Sequence, residues 1–208
     1  KKINGKSLIQ IVSECSMNTK YIDENVISSD SDEIIKEAKK FGLKCYFKRP
    51  NEISGDMVPD IPVLQHALIE TEKYNNYKFD IVLMLQPTSP LRTKVDIVNI
   101  IKMKEENKTE SLVSVCEVRE NPALFYNLNK DNFLSKSFKN LKGTNRQVFK
   151  KYYLLNGALY LSSIEHLKKY KSFISDKTMA YIMPVERSID IDHQIDINWG
   201  EFLIKNKK

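Results

Sequence analysis

Two rhythms of apolar residues run through the 208-residue chain. Helical spacing puts Leu8, Ile9, Ile11 and Val12 on one side of residues 7–16. The same spacing recurs at Ile34, Ile35 and Ala38, at Val63, Leu64, Ala67 and Leu68, and over 94–106, 164–170 and 194–205. Between these lie short continuous apolar runs at 24–28, 44–47, 80–85, 111–115, 156–161 and 179–183, which read as strands. Serines and aspartates before Ile34, Gly42 behind the second helix and Pro59 or Asp60 ahead of the third supply caps and starts. Strands and helices alternating over short connections predict an α/β fold, a mostly parallel sheet covered on both faces.

Two places depart from the rhythm. Residues 121–153 are polar, rich in Lys, Asn and Phe, and without helical period; they read as an excursion of strands and loop from the main sheet. Residues 1–6 read as the end of a loop, whereas an alternating sheet of this kind opens on a strand. The pattern therefore predicts a strand and most of its following loop ahead of Lys1.

The run at 80–85 is the sharpest of the strands and is predicted to be central, buried on both faces. It ends abruptly at Gln86-Pro87-Thr88-Ser89-Pro90-Leu91-Arg92, where two prolines stop any regular continuation. Amide, hydroxyl and guanidinium groups thus fall at the carboxyl end of a strand, the place where open α/β sheets bind ligands.

Composition narrows the function classes. A chain that is 41% hydrophobic and 29% charged is globular. No apolar run approaches the roughly 20 residues of a membrane span. The net charge of +6 is spread over scattered lysines with no basic, aromatic-laced face, which argues against nucleic acid and suits a small phosphorylated substrate. Cys15, Cys45 and Cys116 are odd in number and widely spaced, as expected of small buried residues in a reducing cytoplasm.

Four groups of residues could carry chemistry. In Ser188-Ile189-Asp190-Ile191-Asp192 the alternation sets Asp190 and Asp192 on one face, a hard-oxygen pair of the kind Mg²⁺ needs beside phosphates. The same spacing also suits a helix cap at Asp192 and a solvated Asp190. Gln86, Thr88 and Ser89 can bind a sugar or nucleotide, or merely satisfy a proline-rich turn. Arg49, behind a strand and before Pro50, can fork onto a phosphate or sit on the surface. Asn156-Gly157 opens a strand with Arg146-Gln147 ahead of it, and Gly157 suits close backbone approach.

Leu85-Gln86-Pro87-Thr88-Ser89-Pro90-Leu91-Arg92, Arg49-Pro50, Asn156-Gly157-Ala158-Leu159-Tyr160 and Ser188-Ile189-Asp190-Ile191-Asp192 together resemble the hallmarks of the acylneuraminate cytidylyltransferases, in the family's order and over almost the whole chain. The resemblance implies one three-layer, Rossmann-like nucleotidyltransferase domain over 1–208, with the excursion at about 121–153 as a dimerisation element. It implies a cytoplasmic, Mg²⁺-dependent homodimer that transfers CMP from CTP to a nonulosonic, sialic-acid-like sugar and releases pyrophosphate. A CMP-Kdo-type nucleotidyltransferase and a catalytically silent, nucleotide-binding relative are the alternatives. Asp190 and Asp192 would hold the metal. With Gln86 they would form the catalytic set. Thr88 and Ser89 would line the sugar side and Arg49 the nucleotide. Arg146, Gln147, Asn156 and Tyr160 would hold the acidic sugar. The family's glycine-rich phosphate loop falls before Lys1, with residues 1–6 resembling its tail.

Overall fold

The computed structural model describes residues 1–17, 19–55, 57–138 and 151–206. It opens with a small hairpin, β1 (Lys2–Ile3) and β2 (Lys6–Ser7), turned by Asn4 and Gly5 at positive φ. Ser7 then caps α1 (Leu8–Ser16), its hydroxyl accepting from the Gln10 N–H at 3.0 Å. Ser31 caps α2 (Asp32–Lys40) in the same way, with Asp32 and Glu33 in its first turn and Lys39 and Lys40 in its last, matching the helix dipole. Next come α3 (Asp60–Asn75), β3 (Ile81–Met84) and α4 (Lys94–Asn107), the last opened by a Thr93–Asp96 capping box. β4 (Ser111–Glu117) leads to a hairpin of β5 (Tyr126–Leu128) and β6 (Leu134–Lys136). The long β7 (Tyr153–Ser163), α5 (Ile164–Tyr170), β8 (Met179–Ile182) and α6 (Gln194–Lys205) complete the order.

The main sheet has the order β3-β7-β4-β8. β3, β4 and β8 point the same way, but β7 runs antiparallel between β3 and β4. The sheet is therefore mixed, with one reversed strand inside a parallel set. Apolar content marks a strand as buried and carries no sign of its direction, so the sequence pattern could not place that reversal.

A second correction concerns β3. The run at 80–85 was expected to be central, yet β3 pairs with β7 alone among the described strands, and Ile81 is 42% exposed. The expected strands at 24–28 and 44–47 lie side by side in parallel, but join only through a single bridge, Val26 to Lys44. The Ile27 N–H donates to the Lys44 carbonyl at 2.9 Å and the Lys44 N–H to the Asn25 carbonyl at 2.8 Å.

Alternation along the strands divides the core into two layers. On one face Leu112, Leu159 and Leu161 pack with Ile97 and Ile100 of α4 and Cys15 of α1. On the other, Val113 and Val115 pack with Leu167 of α5, Phe173 and, half-buried, Leu64 of α3. A third cluster, Ile3, Leu8, Ile191 and Ile197, ties α6 to the opening hairpin. Within the excursion the β5–β6 hairpin is exposed on both faces, with Leu128, Phe133 and Leu134 at 62%, 71% and 67%. Cys15, Cys45 and Cys116 are all free. Among the described residues no helix is long and apolar enough to cross a membrane.

Candidate active site

The chain leaves β3 into a tight turn closed by the Ser89 N–H on the Gln86 carbonyl at 3.2 Å. Arg92 holds this turn from inside. Its guanidinium is almost wholly buried, and Nη2 donates to the carbonyls of Gln86 and of Ser89, the latter at 2.7 Å. Burial lowers its pKa to about 10, partly offset by Cys15, Asp96 and Asp190 nearby. The sequence pattern had Arg92 offering its charge outward at the strand end. The structure turns it inward as a clamp, because two prolines strip the turn of donors and leave carbonyls to be satisfied.

Opposite the turn stands Gly157, at φ +71°. A Cβ there would lie 2.8 Å from Gln86 Oε1, 3.0 Å from Ser89 Oγ and 3.9 Å from Asp190 Oδ2. Three residues that sequence reading took from two distant motifs thus converge on one glycine. Its neighbour Asn156 is spoken for internally. The Asn156 Oδ1 accepts from Ser114 Oγ at 2.6 Å, Nδ2 donates to Ser188 Oγ at 2.8 Å, and the carbonyl accepts from Ser89 Oγ at 3.1 Å. Asn156 and Ser89 are both buried, at 5% and 0% exposure. Both side chains are engaged in hydrogen bonds within the protein, and together they form the plate on which the site is mounted. Serine and asparagine at a strand end look alike in sequence whether they face ligand or frame.

The two aspartates come to this plate through one backbone bond. The Ile191 N–H donates to the Thr88 carbonyl at 2.8 Å, and the Ile191 side chain is fully buried. Asp190 and Asp192, on either side of it in the chain, are both exposed. Asp192 does not cap α6. His193 is the N-cap, and Asp196 in the first turn reaches back as its capping-box partner, Oδ2 accepting from the N–H groups of Asp192 and His193 at 3.1 and 2.6 Å. Lys1 Nζ donates to the carbonyls of Ile191 and Asp192.

Behind the pair a buried brace fixes the turn at Val185–Arg187. Arg187 Nη1 binds Asp96 Oδ2, which also accepts from the Thr93 N–H and hydroxyl at 2.8 and 2.7 Å, while Tyr181 OH donates to Oδ1 at 3.0 Å. Burial pushes the Asp96 carboxyl up, but the Arg187 and Thr93 hydrogen bonds outweigh it and hold the group below its ordinary value.

The remaining expected residues fall around this centre. Arg49 is held by Asp30 (Nη2 to Oδ1, 3.1 Å) and Ser54 (Nε to Oγ, 3.1 Å). Tyr160 is half-buried on the α3 face. Its phenol is raised first by burial and then by the Asp60 and Asp190 carboxylates. Arg146 and Gln147 lie outside the described residues. Asp60, at the start of α3, is a member that sequence reading took only for a helix start. Its Oδ2 receives Gln86 Nε2 at 3.5 Å. Among the described residues no three His, Cys, Asp or Glu side chains gather into a metal cage. Asp190 and Asp192 are the exposed carboxylates that could hold a metal, and Mg²⁺ is an ion that one or two carboxylates bind together with waters and substrate phosphates.

Comparison with known proteins identifies the family. A family model described as cytidylyltransferase matches residues 1–173. The "Post-translational flagellin modification protein B" of Campylobacter coli is 32% identical over 209 positions, covering 100% of this chain and 88% of that protein. The "CMP-N,N'-diacetyllegionaminic acid synthase" of Campylobacter jejuni is 31% identical with the same coverage. A solved CMP:2-keto-3-deoxy-manno-octonic acid synthetase complexed with CTP superposes with TM-score 0.66 at 13% identity, covering 99% of this chain and 90% of that one, and so shares its fold. A nucleotidyltransferase fold, a strand end facing a carboxylate pair and a family match over most of its length together make this chain a member of the cytidylyltransferase family.

Proposed function

We propose that the protein transfers CMP from CTP to a nonulosonic acid, a nine-carbon acidic sugar of the sialic or legionaminic type, and releases pyrophosphate. The observation that carries this reading is the bond from the Ile191 N–H to the Thr88 carbonyl, which sets Asp190 beside Gln86 and Gly157. The relatives' names give the sugar class.

Phosphoryl transfer asks for positioning and charge neutralisation more than for a strong base. Asp190 and Asp192 are the residues that would hold Mg²⁺, which neutralises phosphate charge when bound. Gln86, braced through its carbonyl by Arg92, presents its amide where Asp60 and Tyr160 also face, the side that suits a hydroxylated sugar. Arg49 offers positive charge from a fixed position. The turnover takes place in the cytoplasm, where CTP is made.

The protein acts as a homodimer through the excursion. A two-stranded hairpin is not stable alone in water, and one whose every residue is exposed needs a partner surface. Tyr153, Leu154 and Leu155 at the start of β7 continue the same apolar exposure, which a second copy would cover.

The test is pyrophosphate release from CTP and Mg²⁺ with a panel of sialic, legionaminic, pseudaminic and Kdo acids. Release with a nonulosonic acid, abolished by chelation, is expected. Asp192→Asn should lower turnover at least ~10²-fold, the scale of lost electrostatic stabilisation, with an unchanged melting temperature. Absence of release with every sugar, or a full rate in Asp192→Asn, refutes the reading.

A further inference from the structure

We propose that Asp60 fixes which way the Gln86 side-chain amide faces. The oxygen so presented at Gly157 takes a hydrogen-bond donor of the sugar, a hydroxyl or an acylamino N–H, and turns the sugar's carboxylate away. The sugar's part in this rests on the transfer reading above; the amide's part does not.

An amide has one donating end and one accepting end, so its neighbours decide which end faces where. Gln86 stands between two of them. On one side its Nε2 reaches Asp60 Oδ2 at 3.5 Å. On the other its Oε1 is 2.8 Å from the point where a Cβ at Gly157 would lie. Exchanging the two ends would set an amide oxygen against the Asp60 carboxylate, and two acceptors repel. The contact with Asp60 is long and exposed, so it is a bias and not a clamp. A bias is enough, because the last torsion of a glutamine is broad and has two nearly equal settings.

The hollow at Gly157 is lined by acceptors. Ser89 Oγ stands 3.0 Å from the same point and Asp190 Oδ2 3.9 Å. The Ser89 hydroxyl proton goes to the Asn156 carbonyl, which leaves only lone pairs for the hollow. With Gln86 Oε1 turned in, three oxygens converge where glycine leaves room. A carboxylate placed there would meet the like charge of Asp190 and find no donor. A hydroxyl or an amide N–H would find acceptors on three sides.

Asp60 belongs to the same wall. It begins α3, and Pro59 ahead of it brings no side-chain cap. The half-buried Tyr160 has its phenol raised first by burial, then by Asp60 and by Asp190, so both carboxylates lie within electrostatic reach of one hydroxyl. Asp60 and Asp190 are thereby joined across Tyr160 as well as across Gln86. Two carboxylates on one wall repel the acid group of the sugar and favour its donors.

NMR of the substrate-free protein reads the amide directly. The Gln86 side-chain N–H protons, identified by their loss in Gln86→Leu, should show nuclear Overhauser contacts to α3 and none to the Gly157 α-protons. In Asp60→Asn either end of Gln86 can pair with the new amide, and contacts to Gly157 should appear. Kinetics read the sugar, with each acid of the panel that the wild type turns over and at saturating Mg²⁺. Asp60→Asn should raise the sugar KM about 10-fold, the scale of one lost hydrogen bond, and leave the KM for CTP and the melting temperature unchanged. Asp60→Asn combined with Gln86→Glu exchanges amide and carboxylate, returns an oxygen to Gly157 and should bring the sugar KM most of the way back.

Contacts to Gly157 in the wild type, or contacts that do not change in Asp60→Asn, would overturn the role of Asp60. A sugar KM that falls in Asp60→Asn would place the carboxylate here and overturn the assignment of the donor. So would an unchanged sugar KM, a rise in the KM for Mg²⁺ in its place, or a double variant no better than Asp60→Asn. If no acid is turned over, the transfer reading falls and takes the sugar with it, while the NMR contacts still decide the orientation of the amide.

Discussion

Gly157→Ala offers the sharpest test of the site's construction, because Gly5→Ala supplies its own control. Both glycines sit at positive φ, +71° and +79°. A Cβ at Gly5 meets nothing within 4 Å, whereas one at Gly157 meets Gln86 Oε1 at 2.8 Å and Ser89 Oγ at 3.0 Å. Left-handed backbone costs an L-residue about 1–2 kcal/mol, and Gly5→Ala should show only that, less the ~0.4–1 kcal/mol gained from a stiffer unfolded chain. Gly157→Ala adds overpacking of about 1–3 kcal/mol. Its two neighbours respond differently. The Gln86 amide is the end of a flexible side chain and can swing away. Ser89 Oγ is buried and bonded to the Asn156 carbonyl, and cannot. The expected net loss is about 1 kcal/mol for Gly5→Ala and 2–4 kcal/mol for Gly157→Ala, or roughly 2–4 °C and 5–15 °C in melting temperature for a domain of this size. Because the swing moves the Gln86 amide, which on the proposed reading faces substrate, kcat should fall about 10²-fold at temperatures where the variant is folded. Scanning calorimetry and pyrophosphate release measure the two effects separately. A Gly157→Ala protein that melts and turns over like Gly5→Ala would refute the close approach at this glycine.

Other outcomes follow from the brace and the hairpin. Arg187→Met leaves Asp96 buried without its cation and should cost about 3 kcal/mol, near the low end for breaking a buried pair because Arg187 is 24% exposed; the melting temperature should drop by roughly 6–12 °C. The pH dependence has a definite sign. Asp96 is held below its ordinary value of 3.8, so its stabilisation is present above about pH 4 and is lost as pH falls through the folded value. In melting curves from pH 6 to 3 the gap between wild type and Arg187→Met should therefore narrow, and a constant gap would remove Asp96 from the account. Phe133→Lys with Leu134→Lys should convert the proposed dimer to monomer in sedimentation without lowering the melting temperature of the main sheet; a wild-type monomer, or a dimer that persists in the variant, would exonerate the hairpin.

Much of the main sheet and of the candidate site could be read in the chain before the structure. Six apolar residues in period marked α4, and a short unbroken run marked β3, because burial imposes those periods whatever the partner. The convergence of Thr88 with Ile191 could be anticipated only by resemblance, since the two lie a hundred residues apart and one backbone bond joins them. Direction, edge and orientation were the illegible parts. Nothing in Leu159 or Leu161 says that β7 runs backwards, because side-chain alternation is the same in either sense. Ile81 is as apolar as a central residue although, among the described strands, β3 has a neighbour on one side only. Ser89 and Asn156 have the side chains of ligand binders, and the hydrogen bonds of Asn156 with Ser114 and Ser188 come from elsewhere in the sequence and leave no local sign. The Asp96–Arg187 brace spans 91 positions and leaves no local signature.

Ile191 gives the aspartates a safeguard against misfolding. It is a greasy peg between two exposed acids, seated in the cluster of Ile3, Leu8 and Ile197 and tied by its N–H to the Thr88 carbonyl. Moving the segment by one residue would drive Asp190 or Asp192 into that apolar cluster, an unfavourable burial. One seating of the peg is thereby favoured, and it carries the placement of both acids with it.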